Sequence, residues 1–204
     1  MQTRAVFGKR PPVSVAPPLA PRAWKTSTID FREPVTEASI ARLASDTAAA
    51  AAGGADEIVW VLSSPGGELL PALEYCHTLA ASPLKLKTFG VGCVASAATY
   101  LMLAGAQRIA HPDATFLFHE VSTRLKPPPG TFVARSVERH RQLFELTAHE
   151  VYRKSTRLPH DMIARFAHET IILNAAQALE YGVVHRIAEN FADACADAPT
   201  ASAA

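Results

Sequence analysis

Cysteine is scarce: the 204 residues carry three, Cys76, Cys93 and Cys195. An odd, sparse set builds no disulfide framework and fits a reducing compartment, so the expected location is the cytoplasm. Net charge is nearly absent too, +1 from 20 basic and 19 acidic residues, and the basic residues are scattered. With no concentrated positive face, nucleic acid and membrane surfaces are not expected partners. No apolar run reaches the roughly 18–20 residues that a bilayer-crossing helix needs. The longest candidate, VGCVASAATYLMLAGA, reads as a buried helix with its lead-in. Residues 1–26 are Pro-rich and broken by charges, without the apolar core of a signal peptide. Two common motifs are missing as well. His149-Glu150 lacks the second histidine of HExxH, and no GxxxxGK[ST] occurs. Neither that type of zinc site nor a P-loop is supported, and no cofactor or metal is expected.

What is present is an alternation of short strands and helices. Residues 36–53 read as a helix with Thr36 as cap and Gly53 as stop. DEIVWVLSS reads as a buried strand ending in the turn SPGG. ELLPALEYCHTLAAS reads as a helix that tolerates Pro71 in its first turn. LKLKTFGVG is a strand, SAATYLMLAGA a helix, and QRIAH and TFLFHEV are strands. A long amphipathic helix over 130–157 follows, then a shorter one at PHDMIARFAH, the strand TIIL, the helix NAAQALEYG and the strand VVHRIA. This order means α/β with crossover connections. A flexible arm is expected over 1–26, a folded domain over 27–190 and a fraying tail over 191–204. The helix at 130–157 is longer than the body needs, so it is expected to project and serve a contact between copies.

Ser96 raises the functional question. It sits among small residues where an apolar helix begins. Such a serine is either a helix cap or a nucleophile beside free backbone N–H groups. Acyl transfer by serine also needs an imidazole base and two oxyanion donors. SPGG follows an apolar strand, and its glycines let the backbone turn tightly with an N–H uncovered by side chains. The N–H of Ala97 is placed to serve the same oxygen, and His119 ends the strand TFLFHEV. The other histidines lie mostly among charged neighbours and read as solvent-facing.

Four segments in order, SPGGE (64–68), TFGVGCVASAAT (88–99), RIAHPDATFLFH (108–119) and NAAQALEYGVV (174–184), resemble the proteolytic subunit of the Clp protease. The resemblance covers roughly residues 29–188. It implies a crotonase/Clp protease-like fold, an α/β superhelix of repeated β-β-α units with a protruding handle helix. It implies a serine endopeptidase cleaving peptides or unfolded proteins, with Ser96 as nucleophile, His119 as base, and the N–H groups of Gly67 and Ala97 as oxyanion hole. It also implies a homo-oligomeric ring and an ATPase unfoldase partner.

The chain departs from the family in several places. The family's acid lies a dozen residues before the glycine of EYG, where this chain has Thr170, with Glu169 adjacent. Glu120-Val121 follows the histidine in place of Gln-Pro, and Val94 replaces an alanine. If the chain is active, Glu169 is expected to support His119 rather than Thr170, because a carboxylate stabilises an imidazolium by charge. The alternative there is a Ser–His dyad with Thr170 or water orienting the ring. Two rival functions stand beside the peptidase: an inactive subunit that assembles with an active paralogue, and an acyl-CoA enzyme of the wider superfold.

Overall fold

The computed structural model describes residues 25–123 and 125–195. The expectations for residues 1–24 and 196–204 lie outside that range. The elements, in order, are β1 (Thr26–Phe31), α1 (Glu37–Ala52), β2 (Glu57–Ser64), α2 (Leu69–Ala80), β3 (Leu86–Ala95), α3 (Ala98–Leu103), β4 (Gln107–Ala110) and β5 (Thr115–Phe118). They continue with α4 (Phe132–Ser155), α5 (His160–Arg165), β6 (Ile171–Asn174), α6 (Ala175–Glu180), β7 (Arg186–Ile187) and α7 (Phe191–Cys195). The sheet runs β1-β2-β3-β4-β7 in parallel, with β5 also pairing β3 and β6 antiparallel to β5. It is a mixed α/β architecture with a mostly parallel sheet, consistent with the expected fold class. Among the described residues, no helix is long and apolar enough to cross a membrane.

β2 is buried along nearly its whole length, which explains its continuous apolar run. Trp60 is fully buried there; its indole N–H donates to Thr47 Oγ1 at 3.1 Å, so α1 is fixed on the sheet. Thr36 caps α1 as its sequence implies, in a reciprocal pair with Ser39. Two strands differ from the sequence reading. β1 begins at Thr26, inside the segment expected as an arm, because Ile29 and Phe31 alternate into the core. β3 does not stop at the glycines but continues to Ala95. Gly92 (φ +59°) lies between two pairings, with Lys87–Gly90 on β4 and Cys93–Ala95 on β5. The sequence reading ended the strand at Gly92, and that residue is where the strand changes partner. At the other end, α7 occupies residues expected as tail, with Ala194 fully buried.

α4 is 24 residues long, about 36 Å at 1.5 Å per residue. Its buried residues are Glu145, Ala148 and Tyr152, all in its C-terminal half. That half packs on the body, and its root is laced down by Arg108. The buried guanidinium donates to the carbonyls of Ser155, Gly182 and Val183, each at 2.8 Å. The N-terminal half carries Phe132 at 77% and Val133 at 56% exposure, with Leu143 (55%) and Leu146 (60%) further along.

Candidate active site

Ser96 follows β3 directly and precedes α3. Its φ of +54° is the only left-handed backbone of a non-glycine among the described residues. An L-residue there costs about 1–2 kcal/mol, so its surroundings must hold it. The Ser96 N–H donates to Leu117 O at 2.8 Å, which ties the turn to β5. The Ser96 carbonyl accepts from the Thr99 N–H at 2.9 Å and the Thr99 hydroxyl at 2.7 Å. Gly66 closes the other side: a Cβ on it would lie 2.4 Å from Ala95 O and 2.6 Å from the Ser96 Cβ. Only glycine fits there, doubly so at φ +84°.

This arrangement removes the capping reading of Ser96. The residue at the N-cap of α3 is Ala97, and no side chain caps the helix. Among the described residues, Ser96 Oγ has no hydrogen-bond partner, so its hydroxyl is left over after the backbone is satisfied.

The SPGG turn lies beside it. Val35 N–H donates to Gly66 O at 2.9 Å, and Glu68 N–H donates to Val35 O at 2.8 Å. In such a parallel bridge, Val35 bonds the two residues that flank Gly67. The N–H of Gly67 itself points elsewhere and meets no acceptor among the described residues. A side chain at Gly67 would strike Val35 O at 2.1 Å. The Ala97 N–H likewise has no acceptor, and its nitrogen lies 3.0 Å from where a Gly66 Cβ would be. Two unused donors therefore sit on adjoining turns beside a free hydroxyl.

His119 follows β5 and is exposed. Ser96, Ala97, Gly66, Gly67 and His119 all line one cleft of about 1070 Å³. The imidazole bonds neither Ser96 nor a carboxylate among the described residues. Leu69, Leu70, Tyr100, Val137 and Phe144 add apolar wall, so the cleft has room for a peptide side chain beside the hydroxyl. The handle helix forms part of this wall. Its Arg141 donates to Val121 O at 3.3 Å while ion-paired to Glu138 and Glu145, bracing the segment just past His119.

Glu169 and Thr170 do not line the cleft. Glu169 is exposed, and Arg165 grips both its oxygens, at 3.1 and 2.7 Å. That hydrogen bonding holds the Glu169 carboxyl below its ordinary range. β5 and β6 pair antiparallel, with Phe118 opposite Ile171. Continued by one residue, this register sets Thr170 across from His119. The sequence reading missed Tyr100, Arg141 and Tyr152 as cleft residues. Each lies on an amphipathic or apolar helix where side chains of those types normally serve packing, and no local motif marks them.

A family model described as Clp protease matches residues 18–191. The chain is similar to the ATP-dependent Clp protease proteolytic subunit of Liriodendron tulipifera, 27% identical over 136 residues, 65% of this chain and 66% of that protein. It is similar to the ATP-dependent Clp protease proteolytic subunit 3 of Rhizobium meliloti, 27% identical over 176 residues, 83% of this chain and 87% of that protein. With subunit 3 of Rhodococcus jostii it shares 28% identity over 183 residues, 86% of this chain and 87% of that protein.

Proposed function

Because the chain belongs to the Clp protease family, we propose that it is a serine endopeptidase that cleaves peptides or unfolded chains through an acyl-enzyme. The observation that carries this reading is Ser96 itself: a strained residue whose hydroxyl has no hydrogen-bond partner among the described residues, lining one cleft with Gly67 and Ala97, whose N–H groups likewise have none. In the reaction, Ser96 Oγ attacks the scissile carbonyl carbon while His119 takes the hydroxyl proton. The oxygen of the tetrahedral intermediate accepts from Gly67 N–H and Ala97 N–H, which need no reorganisation because they are already free. His119 then gives the proton to the leaving amine. Water, activated by the same imidazole, attacks the ester and releases the acid. His119 must move toward Ser96 on substrate binding, as loosely set apo dyads do.

A fluorophosphonate probe tests this directly. Mass spectrometry should find one adduct, on the peptide holding Ser96. A folded protein that does not label, or labels elsewhere, removes the peptidase reading. A second reading has one observation in its favour: no carboxylate partners His119 among the described residues. That suits a catalytically silent subunit assembling with an active paralogue, and the same labelling result separates the two.

The assembly belongs to the same proposal. The relatives are named as subunits of ATP-dependent proteases, and the handle exposes Phe132, Val133, Leu143 and Leu146. Burying such side chains between copies stabilises a homo-oligomer, here a ring, by about 1.5–3 kcal/mol each. An ATPase partner would deliver unfolded substrate to it. Light scattering at micromolar concentration is expected to give a mass several times the 21.8 kDa of one chain. A clean monomer would remove the ring and its partner from the proposal.

A further inference from the structure

The handle helix reaches the nucleophile's turn through one hydroxyl. Tyr152 of α4 is 4% exposed and sits against the cleft floor. Its oxygen lies 2.8 Å from Thr99 Oγ1. Thr99 already donates its single hydroxyl proton to the Ser96 carbonyl at 2.7 Å. A hydroxyl has one proton and two lone pairs, so at the tyrosine contact Thr99 accepts and Tyr152 donates. The order is therefore fixed: Tyr152 O–H to Thr99 Oγ1, and Thr99 O–H to the carbonyl of Ser96. The ring of the same tyrosine stands edge-on to Phe118, with centroids 5.3 Å apart at 78°. Phe118 is the residue before His119.

We propose that Tyr152 is a positioning residue that registers the Ser96 turn and the strand end carrying His119 against each other, through its hydroxyl on Thr99 and its ring on Phe118. The proposal rests on the peptidase reading of Ser96. Phenylalanine would fill the same core volume; the hydroxyl is what makes the position specific. Oriented hydrogen bonds in series polarise one another, so fixing the Thr99 hydroxyl strengthens its hold on the Ser96 carbonyl. That carbonyl is the group that must stay put for a residue at φ +54°. Burial pushes the Tyr152 phenol up to about 12, so it remains a donor throughout the neutral range. Tyr152 touches none of the reacting atoms and acts through Thr99 and Phe118.

The test uses the full chain and four variants: Tyr152→Phe, Thr99→Val, their combination, and Thr99→Ser. Removing the tyrosine hydroxyl is expected to lower kcat and the fluorophosphonate labelling rate at Ser96 about tenfold, the size of one buried neutral hydrogen bond. KM should stay within about twofold, because substrate binding does not use the link. Thr99→Val, which removes the direct bond to the Ser96 carbonyl as well, should lose at least as much, the double variant should lose no more than the larger single loss, and Thr99→Ser, which keeps a hydroxyl, should retain the wild-type rate. Losses that multiply in the double variant, a change confined to KM, or an unchanged rate each overturn the link. Amide hydrogen exchange supplies a readout free of activity. The Ser96 and Thr99 amides should exchange about tenfold faster in Tyr152→Phe, while Ile58–Leu62 of β2 does not change. If the wild type fails to label, the peptidase reading falls, and exchange still decides the link. If Tyr152→Phe does not fold, Thr99→Val and Thr99→Ser carry the same comparison.

Discussion

Thr170→Asp is expected to raise kcat/KM for a fluorogenic peptide by at least about tenfold and by as much as about 10⁴-fold. The upper figure is what losing the triad's acid costs a serine protease, taken in reverse. The reasoning starts from the antiparallel register in which Phe118 faces Ile171. The ladder ends at that pair; carried one residue further it would set His119 opposite Thr170, and directly opposite residues hold their β carbons about 4.5–5.5 Å apart. An aspartate at that distance would reach the imidazole and supply the charge that an imidazolium needs. Threonine supplies no charge. Glu169→Gln is the companion measurement. Arg165 holds the Glu169 carboxylate at the surface, so its loss should change the rate less than about twofold, as surface substitutions do. A Thr170→Asp chain that labels at Ser96 yet gains nothing would sink this account of the third position. A hundredfold loss in Glu169→Gln would instead make Glu169 the acid.

The second large effect is the loss expected from Ser96→Ala and His119→Ala, measured with the same peptide. In an intact triad, losing serine or histidine costs about 2 × 10⁶ and losing the acid alone about 3 × 10⁴. A chain that already lacks the acid has only their ratio left to lose. Each single variant should therefore fall by on the order of 10²-fold, with the double variant no lower, since the pair acts as a unit. In the Thr170→Asp background the same substitutions should cost that loss multiplied by the gain, from about 10³- to about 10⁶-fold. A loss of 10⁵-fold in the natural background would reveal a carboxylate acting on His119 after all. Rates unchanged from the natural chain in all three variants would place the activity outside Ser96.

Much of the fold was legible because its signals are local. The run EIVWVLSS marks a buried strand, Thr36 marks a helix start and caps it as the sequence implies, and NAAQALEYG marks a helix, which the structure caps with Asn174. The glycines of SPGG announced a tight turn, and their surroundings explain why no side chain fits. The identity of the helix cap was not legible. Serine is a good capping residue, and only the backbone at φ +54° shows that Ser96 lies one residue too early to cap α3. The extent of β3 escaped for a similar reason. A glycine in a strand pattern signals either an end or a bend, and long-range pairing with β5 chose the bend. Tyr152 was beyond reach altogether. Its partners Thr99 and Phe118 lie 53 and 34 residues away in sequence, and only the return of α4 onto the body brings them together.

The left-handed backbone at Ser96 also bears on the history of this chain. A glycine at that position would relieve strain that the fold carries at every moment, at no steric loss to the turn. A subunit that had long ceased to catalyse would gain stability from that substitution and give up nothing. Random change would then be expected to erode the serine early, before it reached side chains that the core requires. Ser96 is still serine, in a turn that opposes it, beside a glycine that fits nothing larger. On the peptidase reading proposed above, that strain is the cost of holding a hydroxyl beside the oxyanion donors.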